Sequence, residues 1–398
     1  MSDPLDWQRT CHRRLMVGLH VPDHDQLTEY RELQEKYGLA DIMSRLDAKQ
    51  YARDLREAHI QLFWYYTKCH YGNAYYPSKV GHVHSCCKDR DIFGELTEAC
   101  LSEGIIPGAV YECSDGRMRK DHPDWCHKIP SDPTQGGDMT DADQGARVAG
   151  PCLNGPYGDF MIEQTREVLK EYPIKAYNFD FLGLFGFETW RCPYCGPKLK
   201  RDTGIDFRTV DLLSHDEYVA YVRWRYAQVE AYSAKVMKIM RDLRPDVAIT
   251  HNLHAIGGGA GMQRMDFASK HGDFLFKDMF NLRSGMLQMS WCNRTMGANT
   301  RCAPAEALLD SLSCVAGDLQ TLKAVDGLQR RNLDRARLQR GSLHLNGHQH
   351  RRRHGPADFR DAAPSLRRAQ AVRRVVQRHA VRRERRTPAQ PRRDRVPP

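Results

Sequence analysis

The sequence predicts an α/β protein: a TIM (β/α)8-type barrel, incomplete at its C-terminal end and followed by a basic, disordered tail. Three observations predict it. Short apolar runs alternate with helical patterns six or seven times, as repeated βα units on a parallel sheet require. The turn after the first strand reads His20-Val21-Pro22-Asp23 and has no glycine, whereas a doubly wound dinucleotide-binding sheet usually opens with a glycine-rich one. The 398 residues are 41% hydrophobic and 9% aromatic, which suits one large core.

Taken in order, Leu15 to Leu19 reads as a first strand that ends at His20, and Asp47 to Ala58 as a helix. Ile60 to Tyr66 is an aromatic-rich second strand, Asp91 to Glu103 a helix closed by Gly104, and Ile105 to Tyr111 a third strand. The polar stretch from Ser114 to Ala149 is expected to be a loop over one face. Phe160 to Tyr172 is a helix, Ile174 to Phe181 a fourth strand, and His215 to Arg244 a long helix stopped by Pro245. Val247 to Thr250 and Phe274 to Phe276 supply a fifth and a sixth strand, and Leu312 to Val315 a seventh. The triple glycine at Gly257-Gly258-Gly259 is read as a flexible loop.

Charge separates the chain into parts. Residues 330–398 hold 21 Arg and 5 acidic residues, a charge of +16, so the first 329 residues carry −6 of the overall +10. From Cys292 onward Phe359 is the single aromatic residue, and no Lys follows Lys323. We therefore expect an N-terminal extension over 1–13, a barrel over 14–326 and an Arg-rich tail over 327–398. A loss of reading frame near Asp326 accounts best for the tail. Nucleic-acid binding through clustered Arg is the competing reading, and a solvated linker the third. The sequence has no run of 18 apolar residues, so no membrane span is expected. A polar N-terminus and thirteen cysteines without a signal core read as a cytoplasmic protein with reduced thiols.

A barrel places its working residues at the carboxyl ends of its strands. Those ends carry His20, Lys68, His70, Glu112, Asp115, Asp180, His251, Asn252, His254, Lys277 and Asp278, with Tyr75, Tyr76, Trp125, Tyr177, Phe185 and Trp190 among them. Carboxylates among aromatics suit cleavage between sugars. One carboxylate attacks or stabilises an oxocarbenium-like centre, a protonated one serves the leaving oxygen, and aromatic faces stack on the rings. Asp180 stands out because strand periodicity would bury it, and a buried carboxylate is costly unless paired or used. Cys192-Pro193-Tyr194-Cys195 has the spacing of half a zinc site, but a four-Cys site would need Cys126 or Cys152. No metal and no cofactor are expected.

The residues also carry a resemblance. Met16-Val17-Gly18-Leu19-His20 resembles the first strand of α-L-fucosidase-type glycoside hydrolases, which ends in a substrate-binding His. Tyr66-Thr67-Lys68-Cys69-His70-Tyr71-Gly72 resembles their T-K-H-H-D-G segment, with Cys69 in place of the first His, so that His70 alone carries over. Gly108 to Glu112 resembles their third strand, and Asn178-Phe179-Asp180 their W-F-D, whose Asp is the nucleophile. Uncharacterised bacterial glycosyl-hydrolase-like TIM barrels, some bearing a β-galactosidase-type trimerisation domain, are similar over Lys68 to Gly72, Tyr75 to Gly81, His122-Pro123-Asp124-Trp125 and the Cys-x-x-Cys segment.

The resemblance implies a retaining glycoside hydrolase with Asp180 as nucleophile. Asp278 is the first candidate for the general acid and Glu112 the second. His20, Lys68, His70, Tyr76, Trp125, Asn252 and His254 are the expected sugar contacts. The expected partner is a carbohydrate substrate, with neither nucleic acid nor membrane, and an open barrel edge leaves a homo-oligomer open. The alternatives are a non-catalytic carbohydrate-binding barrel and nucleic-acid binding through the tail.

Overall fold

The computed structural model describes residues 5–18, 20–26, 42–126, 151–184, 192–206, 214–252, 270–279, 294–296 and 303–309, together with Trp291 and Ala298. The expectations for Leu19, Phe185, Trp190, His254, Gly257 to Gly259, Leu312 to Val315 and the basic tail lie outside the described residues.

A short helix α1 (Trp7–Thr10) leads into β1 (Arg14–Met16). Helix α2 (Ala48–Glu57) precedes β2 (Leu62–Lys68), which is followed by the two-residue strands β3 (Asn73–Ala74) and β4 (His82–Val83). Then come α3 (Ile92–Ser102), β5 (Ile106–Glu112), α4 (Gly116–Asp121), α5 (Pro156–Glu171), β6 (Ala176–Asp180), α6 (Cys195–Thr203), α7 (His215–Leu243), β7 (Ala248–His251), β8 (Phe274–Met279) and β9 (Ala303–Leu309).

Local chemistry sets the helix boundaries. Asp47 accepts from the Gln50 N–H at 2.9 Å to start α2, and Asp91 accepts from the Gly94 N–H at 2.8 Å to start α3. Each such cap is worth about 1 kcal/mol. Pro156 opens α5, where its missing N–H costs nothing. Ser214 and Glu217 form a reciprocal capping box at α7. Gly204 ends α6 in the left-handed region, at φ +77°.

The core strands run parallel in the order β1-β2-β5-β6-β7, with β3 antiparallel to β2 and β8 parallel to β9. Strands β2, β6 and β7 are buried at every position, as expected of strands covered on both faces. An isolated parallel bridge from Asn252 to Phe276 carries the sheet onward to β8. The sheet curls. Four strand spacings of about 4.8 Å would hold β2 and β8 about 19 Å apart in a flat sheet. Instead the Trp64 ring of β2 lies 6.3 Å from Phe274 and 6.4 Å from Phe276 of β8. The result is a mixed α/β architecture with a curled, barrel-like parallel sheet.

Several sequence expectations shift. The first strand covers Arg14–Met16 within the described residues. The stretch after Ser114, read as a loop, opens with α4, because Asp115 accepts from the Met118 N–H at 3.0 Å and caps it. Strand β9 falls on Ala-Pro-Ala-Glu-Ala-Leu-Leu, a composition that local propensity assigns to helix. Pairing with β8 overrides that propensity. None of the ten described cysteines forms a disulfide. No described helix is long and apolar enough to cross a membrane.

The curl depends on a missing side chain. A Cβ at Gly108 would lie 2.5 Å from the Trp64 ring. Gly108→Ala should therefore destabilise the fold by about 1–3 kcal/mol through overpacking, read as a fall in the urea midpoint. The same change at Gly94, which sits on the α3 surface turn, is no substitute control, because its Cβ would meet the Asp91 cap at 2.4 Å.

Candidate active site at the carboxyl ends of the strands

Glu112 and Asp180 occupy matching register positions, one at the end of β5 and the other at the end of β6. Paired residues on adjacent parallel strands point to the same face. That face is the inner one, since Gly108, two pleats before Glu112, packs on Trp64. The next strand continues the row: Phe179 pairs with His251, so Asn252 stands beside Asp180.

Asp180 is 9% exposed and accepts three hydrogen bonds. Its Oδ1 takes the Asn252 Nδ2–H at 2.9 Å and the Phe181 backbone N–H at 3.0 Å. Its Oδ2 takes the Tyr66 hydroxyl at 3.2 Å. Phe181 adopts φ +55°, an uncommon conformation for a bulky L-residue that costs roughly 1–3 kcal/mol and persists where surrounding structure imposes it. This turn lets the amide of residue 181 fold back onto the carboxylate that precedes it. Glu112 is fully buried, and its Oε1 accepts from the Ser114 hydroxyl at 2.7 Å and the Ser114 N–H at 3.2 Å.

Two of the expected sugar contacts flank Asp180's hydroxyl partner. The His20 ring lies 4.5 Å from that of Tyr66 and 4.3 Å from that of His70, and the His70 N–H donates to His20 Nδ1 at 3.5 Å. Trp125 is half-buried and stacks on His122 at 4.1 Å. The backbone of Asp278 lies in β8, and its side chain is outside the description, as is the whole of His254.

Lys68 and Tyr76 sit elsewhere. Strict alternation would align Lys68 with Trp64 and Tyr66, but the β2–β5 register shifts between Tyr66 and Lys68. Such a bulge re-aims the side chain that follows it. The Lys68 ammonium is fully buried and donates to Asp115 at 2.9 Å, to the Ser114 carbonyl at 2.9 Å and to the Tyr157 hydroxyl at 3.3 Å. Tyr76 is buried against the helix layer, and its hydroxyl donates to Glu167 of α5 at 2.9 Å. Both residues stand behind the row of Glu112, Asp180 and Asn252.

Sequence reasoning missed Tyr66 and Phe181 as site residues. The signal for Tyr66 was its place two residues after Trp64 on one strand face. No sequence signal marks Phe181, because a left-handed turn is normally announced by glycine or asparagine. His251, next to Asn252, is fully enclosed, and burial lowers its pKa to about 3, with a smaller contribution from His271. The thiols offer no activated nucleophile here: burial raises those of Cys69, Cys100 and Cys113, that of Cys100 to about 12.

Residues 47–180, from the cap of α2 to Asp180, match a family described as hypothetical glycosyl hydrolase 6. No curated protein matches the chain. Among solved structures, α-L-fucosidase isoenzyme 2 from Paenibacillus thiaminolyticus superposes with a TM-score of 0.60 at 19% identity, over 81% of this chain and 44% of that one. An α-L-fucosidase from Bacteroides thetaiotaomicron matches with a TM-score of 0.46 at 17% identity, over 83% of this chain and 65% of that one. The chain thus spans less than half the length of the Paenibacillus enzyme. The likeness to the fucosidase is one of fold.

Two measurements follow from the geometry. Lys68→Met leaves the Asp115 carboxylate buried without its cation, and should cost about 3–5 kcal/mol of stability in urea denaturation. A purely sugar-contacting lysine would leave the urea midpoint unchanged. His251 stays neutral in the fold while its unfolded counterpart takes a proton below the ordinary imidazole value of 6.5. Its share of stability is therefore complete above that pH and is lost as pH falls toward about 3. The slope should approach about 1.4 kcal/mol per pH unit, and a His251→Gln variant should show a shallower acid limb by that amount.

Proposed function

We propose that this chain hydrolyses a glycosidic bond with retention of configuration, and that Asp180 is the nucleophile. The observation that carries this reading is the Asp180 carboxylate: nearly enclosed, on the inner face at the end of a parallel strand, and held at both oxygens by Tyr66, Asn252 and Phe181. A carboxylate oxygen so oriented attacks the anomeric carbon as the bond to the leaving oxygen breaks. A carboxylic acid gives its proton to that oxygen, and then, as a carboxylate, takes a proton from the water that releases the sugar.

Asp278 of β8 is the first assignment for that acid and Glu112 the second. Glu112 gains support from its register position beside Asp180. His20, His70, Asn252, Trp125 and His254 are the proposed sugar contacts, whereas Lys68 and Tyr76 support the wall behind them. α-L-Fucosides are the first substrates to try, because a fucosidase shares the fold, and β-galactosides the second.

A panel of aryl glycosides tests the reading on the full chain. Wild type should turn over one of them, and Asp180→Asn should lower kcat by about 10⁴-fold while keeping the wild-type melting temperature. The first-formed sugar, followed by proton NMR, should keep the substrate's anomeric configuration. The acid should declare itself by leaving group: its replacement, Asp278→Asn or Glu112→Gln, should cost about 10²–10⁴-fold on a poor leaving group and far less on a dinitrophenyl glycoside. Full activity in Asp180→Asn would refute the nucleophile. Sugar binding without any turnover would establish a carbohydrate-binding barrel instead.

A further inference from the structure

The chain between β5 and α5 and the chain between β6 and α6 both carry buried cysteines among their described residues. Cys152 lies just before α5, Cys192 lies after β6, and Cys195 is the first residue of α6. Far apart in sequence, the three sulfurs all lie within 4.8 Å of one another, with Cys152 Sγ 3.3 Å from Cys195 Sγ. We propose that Cys152, Cys192 and Cys195 bind a divalent zinc ion that clamps the two loops together. The proposal stands independently of the glycosidase reading.

The arrangement suits zinc chemistry. A tetrahedral zinc with Zn–S bonds of about 2.3 Å holds its sulfurs about 3.8 Å apart, close to the spacing seen here. A disulfide would need the sulfurs at about 2.05 Å and would leave the third thiol over. Two of the ligands come from a Cys-x-x-Cys turn, in which the Gly196 N–H returns to the Cys192 carbonyl at 3.0 Å. The surroundings fit the charge that would result. Three thiolates and one zinc sum to −1, and the buried guanidinium of Arg225 on α7 lies within electrostatic reach of Cys195. The Asn154 Nδ2–H donates to Cys195 Sγ at 3.4 Å, the kind of outer-shell bond that orients a metal-bound thiolate. The loops are also pressed together beside the thiols, where a Cβ on Gly155 would lie 2.5 Å from the Tyr194 ring. Structural zinc is four-coordinate; Cys126, whose backbone bridges to Pro151, stands outside the group, with its sulfur on the His122 carbonyl at 3.8 Å.

Neither cysteine segment works alone. Cys192 and Cys195 supply only half a shell, and Cys152 reaches them through the seating of α5 beside α6 and α7. A metal here would tie the start of α5 to the start of α6.

The test uses the full chain, purified under reducing conditions without chelator and assayed for metal by mass spectrometry. Roughly one zinc per chain is expected, and Cys152→Ser, Cys192→Ser and Cys195→Ser should each lose it, while Cys100→Ser in α3 should keep it. As a measurement that does not depend on the folding of the serine variants, cobalt(II) chloride is also titrated into zinc-stripped wild type. Sulfur-to-cobalt charge-transfer absorption in the near ultraviolet, saturating at one equivalent and reversed by zinc chloride, supports the site. A wild-type chain that carries no zinc and gives no such band under reducing conditions overturns it. So does a metal content unchanged in Cys195→Ser, or a freshly prepared chain in which Cys152 and Cys195 prove to be joined as a disulfide.

Discussion

The chemistry of this fold depends on how a nearly enclosed carboxylate is held in place. Removing a carboxylate from water is affordable only where hydrogen bonds replace the lost solvent. For Asp180 those bonds arrive from β2 through Tyr66, from the end of β7 through Asn252, and from its own chain through the turn at Phe181. The donors meet because β2, β5, β6 and β7 pair in parallel and in register, and because the sheet curls enough for Trp64 to reach β8. A slip of one residue in β6 would turn Asp180 toward the helices and put Phe179 in its place. Register is therefore a functional constraint here as well as a packing one.

Much of this was legible before any coordinates. Parallel strands buried on both faces read as continuous apolar or aromatic runs, and Leu62 to Tyr66 and Ile106 to Tyr111 do so. Asp180 and Glu112 stood out because each ends such a run with a charge. The long helices were readable from their stops, Gly104 and Pro245. Other features were not readable, for physical reasons. The bulge at Thr67 comes from a pairing shift between two strands, and a single strand's pattern holds no record of it, so the sequence alone does not show which face Lys68 takes. Strand β9 is held by its neighbour against its own propensity. The clustering of Cys152 with Cys192 and Cys195 depends on how α5 seats against α6 and α7, which the spacing within either segment cannot express.

The bulge has a second consequence. By turning Lys68 outward it builds a polar cluster between sheet and helices, in which one ammonium joins Asp115, the Ser114 carbonyl and Tyr157 of α5. Asp115 also caps α4, and Tyr157 bonds the Cys113 carbonyl at 3.0 Å. The segment Cys113-Ser114-Asp115 is thus tied from outside at every residue, while from inside Ser114 holds Glu112. A carboxylate that must hold one position benefits when the loop after it cannot move. Lys68 thereby contributes to the candidate site by restraining the strand end, without facing it.

This division explains why the inner and outer faces of the same strands use their polar residues so differently. On the inner face, Glu112, Asp180 and Asn252 form a row one residue deep, backed by apolar contacts such as Gly108 against Trp64. On the outer side, Lys68 pairs with Asp115 and with Tyr157 of α5, and Tyr76 with Glu167 of the same helix. A lysine at the inner position would pair with Asp180 and hold it as a salt bridge, which would blunt a nucleophile. Neutral donors such as Tyr66 and Asn252 orient the carboxylate without neutralising it. The one-residue register shift that moves Lys68 to the outer face thus commits its ammonium to Asp115 and leaves Tyr66 and Asn252 as neutral donors to Asp180.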